Sequence, residues 1–525
     1  MQKNDIYEMT IEDIGNDGEG IGHIADRQSG KKFAVFVKDT VVGDVIKVKL
    51  IKIKKSYAYG RLVEIIKSSP YRIEPVCEKA RSCGGCTLMH MDYQNQLDYK
   101  KNKVKGCLQR IGGIDCVEEL MEPCHGMENP YNYRNKMQFP VAVDKNGRVK
   151  IGFYAGHTHD VIDLNECAIG HEVNKYIVEE LRKWLQKWHD KAPDFIYNEE
   201  KHNGLVRHIL TRVGFTTGEV MVCIVINGNG FGEECQKELS IAVNKAVSDY
   251  NEKVMIVGIK ECKNDKSVDG TNNKYENDKS ATGTNNKCEN DKSETEKNKI
   301  LSLKYLGYNI NKDKTNRILG DKCVTLEGKD YITDYIGDVK FNISPLSFYQ
   351  VNPYQTEKLY SKALEYASLS GGEIVWDLYC GIGTISLFLA KKAKEVYGVE
   401  IVPQAIEDAK VNAKINNIDN AHFYCEDAGV FADRIKGTIG TDNSIPKPDV
   451  ILVDPPRKGL DGRLIDVIIE AYPERIVYVS CDPATLARDV KILDEKGYKV
   501  NKVAVYDQFV FSTHVETVCL LSRKA

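Results

Sequence analysis

Across residues 1–66 apolar and polar positions alternate in short runs. In Ile46-Lys47-Val48-Lys49-Leu50 every second residue is apolar, the period of a half-buried strand. The alternation resumes in Ile51-Lys52-Ile53-Lys54 one residue out of phase, and that slip predicts a β-bulge. With turns at Gly15 to Gly22 and around Gly43-Asp44, these strands predict a small OB-like β-barrel. Its lysines either meet phosphates or stay solvated. Residues 67–340 read as a central α+β domain, with one clear helix near Asn174 to Trp188, apolar at Ile177, Leu181 and Leu185. From about 341 to 525, apolar strands alternate with helical patterns, which predicts a Rossmann-like α/β domain around a parallel sheet. The expected strands are Ile374–Leu378, Glu395–Val399, Val450–Val453 and Arg475–Val479, with Val500–Val505 and Val515–Ser522 completing the sheet.

Residues 262–299 break the pattern. Cys262-Lys-Asn-Asp-Lys-Ser, Tyr275-Glu-Asn-Asp-Lys-Ser and Cys288-Glu-Asn-Asp-Lys-Ser recur at intervals of 13 residues, almost without apolar positions. Such a repeat has no face to stack, so it reads as a disordered insertion in a surface loop. The total of 525 residues fits about three domains. A net charge of −3 gives no global sign of nucleic-acid binding, so any basic surface is local. No secretory signal and no membrane-length apolar run is present, so the 16 cysteines are expected in a reducing cytoplasm, as core residues, metal ligands or catalysts.

Strand Ile374–Leu378 runs into Tyr379-Cys-Gly381-Ile-Gly383, a tight turn in which backbone N–H groups can approach a ligand. Glu400, at the tip of the next strand, is placed to accept both hydroxyls of a ribose, and Asp427 after a third strand would flank an adenine. Ser386 stands where a dinucleotide binder has its third glycine. The set resembles a class I S-adenosylmethionine methyltransferase more than an NAD enzyme.

Asp454, in Val450-Ile-Leu-Val-Asp454-Pro-Pro-Arg457, and Cys481, in Val479-Ser-Cys481-Asp-Pro483, both follow apolar strands, on the rim where open α/β sheets bind ligands. Glu516 opens an otherwise apolar strand. Methylation of uracil at C5 needs such a trio. A thiolate adding at C6 makes C5 nucleophilic, and a base must then remove the C5 proton. Cys481 suits the first role and Glu516 the second. A free thiol ionises near ~8.5, so the site must activate it, and Arg457 is a candidate cation. Cys77, Cys83 and Cys86 crowd into ten residues around Gly84-Gly85, with Cys167 as a fourth, and this spacing leaves zinc and iron–sulfur both open. Tyr131-Asn-Tyr-Arg134-Asn-Lys136 interleaves aromatic and basic residues, which suits stacking and phosphate contacts on single-stranded RNA.

Ser344-Pro-Leu-Ser-Phe348-Tyr-Gln350-Val-Asn352-Pro, Asp377-Leu-Tyr-Cys-Gly-Ile-Gly383, Asp454-Pro-Pro-Arg-Lys-Gly459, Ser480-Cys481-Asp-Pro and His514-Val-Glu516 occur in the order of the RNA uracil-C5 methyltransferase family. The chain resembles that family along nearly its whole length. The resemblance implies that Gln350, Tyr379, Glu400 and Asp454 contact S-adenosylmethionine, that Cys481 is the nucleophile and that Glu516 accepts the proton. Its ribosomal-RNA members carry an N-terminal TRAM barrel and a [4Fe–4S] cluster on this cysteine pattern. That implies 23S rRNA as partner, in a loop from which the base is extruded, and a monomeric cytoplasmic enzyme. A tRNA uracil-54 enzyme, an inert RNA-binding relative and an adenine amino-methylase are the alternatives. Two departures stand out. Asp482 replaces a common Asn, adding negative charge beside the thiol, and Val510 replaces a usual proline.

Overall fold

A computed structural model describes residues 1–25, 32–156, 158–264, 299–436 and 445–524. The expected disordered insertion at 262–299 falls, apart from its ends, outside the described residues.

The N-terminal strands Ile6–Thr10, Val45–Ile53, Tyr57–Lys67, Lys32–Val37, Gly20–Ala25 and Asp13–Ile14 pair in that order. They wrap a core of Met9, Val35, Val37, Ile46, Val48, Leu50 and Ala58. The bulge lies where the alternation slips: Leu50 faces Gly60, Lys52 faces Tyr59, and Ile51 between them is exposed. Lys47 pairs with Glu64 at 2.7 Å, so that part of the basic face is a solvated ion pair.

The central sheet has seven strands, in the order Val161–Asp163, Val149–Tyr154, Lys136–Val143, Val206–Val213, Glu219–Ile226, Ser302–Ile310 and Lys322–Gly328. The expected helix is Val173–Lys191, and it buries Ile177, Leu181 and Leu185. Strands Glu219–Ile226 and Ser302–Ile310 run parallel, so the chain between them must cross over. Helix Glu233–Asn264 begins that crossover, and the polar repeat lies within the same connection.

The third sheet positions the chemistry. Its eight strands run in the order Ala421–Cys425, Glu395–Glu400, Ile374–Leu378, Val450–Val453, Arg475–Ser480, Glu516–Arg523, Tyr498–Tyr506 and Met121–His125. The first five are parallel, and the inner three, Ile374–Leu378, Val450–Val453 and Arg475–Ser480, are buried on both faces as their near-continuous apolar runs require. From Ile374–Leu378 the chain winds outward to Ala421–Cys425, then returns to add Val450–Val453 on the other side. The crevice between those two inner strands is a topological switch point, where such sheets bind ligands. Glu516–Arg523 then enters antiparallel. The last strand, Met121–His125, comes from the 67–340 stretch and lies parallel to Tyr498–Tyr506.

Helix Tyr93–Arg110 ties this sheet to the barrel. Its Lys100, fully buried, forms an ion pair with the equally buried Asp507 and donates to the Phe509 carbonyl at 3.0 Å. Tyr93 adds a 2.8 Å hydrogen bond to Asp507. On its outer face Lys103 donates to the carbonyls of Asn16 (2.9 Å) and Thr513 (3.0 Å), linking a barrel turn to the segment that leads into Glu516. Among the described residues no helix is long and apolar enough to cross a membrane.

Candidate active site

Cys481, Asp454 and Tyr379 each follow the carboxyl end of a parallel strand. Glu516 reaches the same rim by the opposite route, because the start of an antiparallel strand lies beside the ends of its parallel neighbours. The ladder ends where Ser480, the residue before Cys481, pairs with Thr517, the residue after Glu516, and Cys481 and Glu516 lie within electrostatic reach of each other. Asp482-Pro483 ends the strand because it starts a helix. The Asp482 carboxylate accepts from the N–H groups of Ala484 (2.9 Å) and Thr485 (3.1 Å), and Pro483 takes the first helical position. Asn would cap as well.

The expected burden of Asp482 on the thiol is corrected, since Glu516 and Asp454, not Asp482, are the acids that act on it after burial. Burial instead pushes the Cys481 thiol up to about 11, with Glu516 and then Asp454 adding to the push and Arg457 opposing it. Burial, followed by Asp454, drives Glu516 well above the ordinary carboxyl range, and Arg457 again opposes. Asp454 is raised to about 7 by burial and then by Asp377. Asp377, raised to about 7 by burial and then eased by its hydrogen bond from Ser386, is a member of this acid cluster that the sequence reading left without a role. Ser386 replaces the third glycine because its hydroxyl satisfies this buried carboxyl.

The turn at 379–383 takes left-handed backbone at Tyr379 (φ 74), Gly381 (φ 56) and Gly383 (φ 80), and Gly383 opens helix Thr384–Ala390. Glu400 joins this turn to its own strand tip, accepting from the N–H of Gly381 (3.2 Å) and of Val402 (3.0 Å). Each oxygen keeps a lone pair for a hydroxyl. Asp427 caps helix Ala428–Ile435 through one oxygen, on the N–H groups of Gly429 and Val430. The Tyr379 phenol is raised to about 12 by burial and then by Asp427, which lies within electrostatic reach. Gln350 is buried, and its side-chain oxygen accepts from Gln508 at 3.3 Å. Gln508 also donates to Thr356 at 2.9 Å. Sequence reasoning missed this clamp; its one signal was a pair of polar residues, Asp507-Gln508, at the end of an apolar strand.

A tRNA (uracil-5-)-methyltransferase family model matches residues 302–524, and a TRAM domain model matches residues 2–63. RNA methyltransferases of Clostridium tetani and Clostridium acetobutylicum are 43% and 42% identical over 99% and 100% of this chain, and over 97% and 98% of their own lengths. The chain belongs to the RNA uracil-C5 methyltransferase family. Among solved structures, the Pyrococcus abyssi tRNA (uracil-54, C5)-methyltransferase in complex with S-adenosyl-L-homocysteine is 26% identical, with a TM-score of 0.68 over 98% of this chain and 99% of that one.

In this uracil-C5 methyltransferase the four cysteines converge from two segments. All are half-buried. Burial raises the Cys86 thiol, and Cys167, Cys83 and Cys77 each add to that rise, so all four lie in one neighbourhood. The N–H groups of Ile169 and Gly170 point at the Cys167 sulfur, and that of Gly85 at Cys83, contacts that favour thiolates. Gly84 is required because an added Cβ would lie 3.2 Å from the Tyr154 carbonyl and the Gly156 backbone. Among the described residues no three His, Cys, Asp or Glu side chains gather tightly enough for one metal ion. Beside the cysteines, Met89, Tyr133, Val510 and Phe511 form a small core. Val510 fills this core, and its carbonyl accepts from Tyr133. The stacking role expected of Tyr133 is thereby corrected, because its ring is buried. Tyr131 packs on Phe511 with ring centroids 5.4 Å apart. Arg134 and Lys136 are half-buried, and burial together with Arg212 and Arg134 lowers Lys136 to about 7. Phe348, two residues before Gln350, is 69% exposed, a free aromatic face that no periodicity announced.

Alkylation of Cys481 by iodoacetamide, read on its own peptide by mass spectrometry, should keep rising toward about pH 11. Glu516→Gln removes an anion and shifts the profile to lower pH, whereas Arg457→Ala removes the opposing cation and shifts it higher. A profile complete near neutral pH, or one that neither substitution moves, contradicts this electrostatic assignment.

Proposed function

We propose that this enzyme methylates C5 of a uracil in 23S rRNA through a covalent Cys481–C6 adduct. The observation that supports the reading is the strand pairing that ends beside Cys481 and Glu516, with both of them and Asp454 and Arg457 within electrostatic reach of one another. S-adenosylmethionine, when bound, supplies an electrophilic methyl group, and Gln350, Tyr379, Gly381, Gly383, Glu400, Asp427 and Asp454 are the residues to hold it. The Cys481 thiol gives its proton to solvent as its sulfur bonds to C6 of the uracil, moving the ring electrons toward O4 and C5. C5 then takes the methyl group. Glu516, having given its own proton to solvent, accepts the C5 proton, and the electron pair of the C5–H bond expels the thiolate from C6. Burial makes Glu516 a strong proton acceptor once ionised. Arg457 stabilises both anions in turn. The target must leave its stack to reach Cys481, which favours a loop of RNA, and Phe348 offers a ring face for an extruded base.

Cys77, Cys83, Cys86 and Cys167 fit a [4Fe–4S] cluster. What supports the reading is that the four thiols lie within electrostatic reach of one another and that backbone N–H groups point at two of the sulfurs. When bound, such a cluster would hold the two cysteine segments together against the core of Tyr133, Val510 and Phe511.

A second reading, tRNA uracil-54, is favoured by one observation. The Pyrococcus abyssi tRNA enzyme matches 98% of this chain, so the N-terminal barrel does not by itself separate the two substrates. Unmodified ribosomal and transfer RNA, from a strain lacking the enzyme, should decide. The purified enzyme is expected to place 5-methyluridine in 23S rRNA, mapped by mass spectrometry; a methyl group confined to tRNA establishes the second reading. Protein purified without oxygen should be brown and carry iron that Cys83→Ser removes, and a colourless, iron-free preparation counts against the cluster.

A further inference from the structure

A cleft of about 460 Å³ separates the barrel from helix Tyr93–Arg110, and the reaction described above makes no use of it. Along the helix Tyr99, Asn102, Gly106 and Arg110 line it at spacings of three or four residues, with Asp98 and Lys103 beside them. Tyr71 and Ile111 form its flanks and are 45% and 41% exposed, an uncovered apolar rim. Among the described residues Arg110 makes no ion pair. The floor is the telling feature. Gly106 lies well inside the helix, where glycine is the weakest residue after proline. Its backbone has no left-handed angle, and an added Cβ would meet nothing within 4 Å. Nothing in the fold itself calls for a glycine here, whereas a flat ligand lying on the helix would.

The cleft also adjoins the catalytic rim. Lys103, on its wall, bridges the Asn16 carbonyl of the barrel and the Thr513 carbonyl three residues before Glu516. Lys103 and Cys107 both lie within electrostatic reach of Asp482, the neighbour of Cys481.

We propose that this cleft is a second nucleotide subsite, which takes a base of the substrate RNA flanking the methylated uridine. The base lies over Gly106 between Tyr71 and Tyr99, Asn102 and Asn16 meet its polar edge, and Arg110 meets a phosphate. The proposal rests on RNA being the substrate and adds where selectivity for the flanking sequence is read.

Gly106→Leu fills the cleft, and Gly106→Ala fills it less while favouring the helix. Filter binding of unmodified ribosomal and transfer RNA fractions gives the affinity without relying on turnover. Gly106→Leu should weaken binding of the substrate fraction on the order of tenfold, the scale of one lost base stack. Gly106→Ala should weaken it less and hold or raise the thermal midpoint. Ultraviolet cross-linking of 4-thiouridine-substituted RNA to the wild-type protein should label the peptide carrying Tyr99 or Tyr71. Unchanged RNA affinity in a folded Gly106→Leu protein, with no cross-link to either tyrosine, overturns the subsite. Intact RNA binding without methylation by the wild type would strike the proposed reaction and leave the affinity comparison valid.

Discussion

The antiparallel pairing of Arg475–Ser480 with Glu516–Arg523 is the constraint on which the site depends. Parallel strands deliver side chains to the rim only from their ends, whereas an antiparallel strand delivers its first residue there. That geometry lets a thiol and a carboxyl, distant in sequence, meet without a long loop. The approach to Glu516 is in turn pinned by Lys100 and Asp507, both fully buried. Losing one partner of such a pair typically costs about 3–5 kcal/mol, because the other is left as an unpaired buried charge. The segment from Asp507 to Thr513 is thus tied at one end by this pair and at the other by Lys103, while its Val510 and Phe511 pack beside the cysteines. Barrel, cysteine cluster and the proposed base Glu516 share one short stretch of chain.

The rim is rich in acids and poor in cations. Cys481, Glu516, Asp454 and Asp377 are all pushed toward their protonated forms, with Arg457 the named opposing charge at the first two. Cys481 in particular keeps its proton near neutral pH. A thiol held protonated in this way is slow to be alkylated by stray electrophiles near neutral pH.

Much of this was legible because the informative residues adjoin apolar strands whose ends a periodicity reading can find. Tyr379, Asp454 and Cys481 follow strands bounded within a residue of expectation, and the phase slip at Ile51 announced the bulge. What stayed hidden depends on partners distant in sequence. Asp482 read as an added charge because a cap shows only when its helix N–H groups are in place. Tyr133 read as a stacking ring because its burial comes from Val510 and Phe511, nearly 380 residues away. Gly106 carried no signal at all, since its meaning lies in the space beside it.

The covalent step is the central claim, and fluorine tests it directly because it cannot leave C5 as a proton. Substrate RNA containing 5-fluorouridine, incubated with S-adenosylmethionine and the protein, should yield a protein–RNA adduct that survives denaturing electrophoresis and maps to the Cys481 peptide. Cys481→Ala should abolish it. An adduct that persists in Cys481→Ala, or none from the wild-type protein on RNA it methylates, would contradict the mechanism.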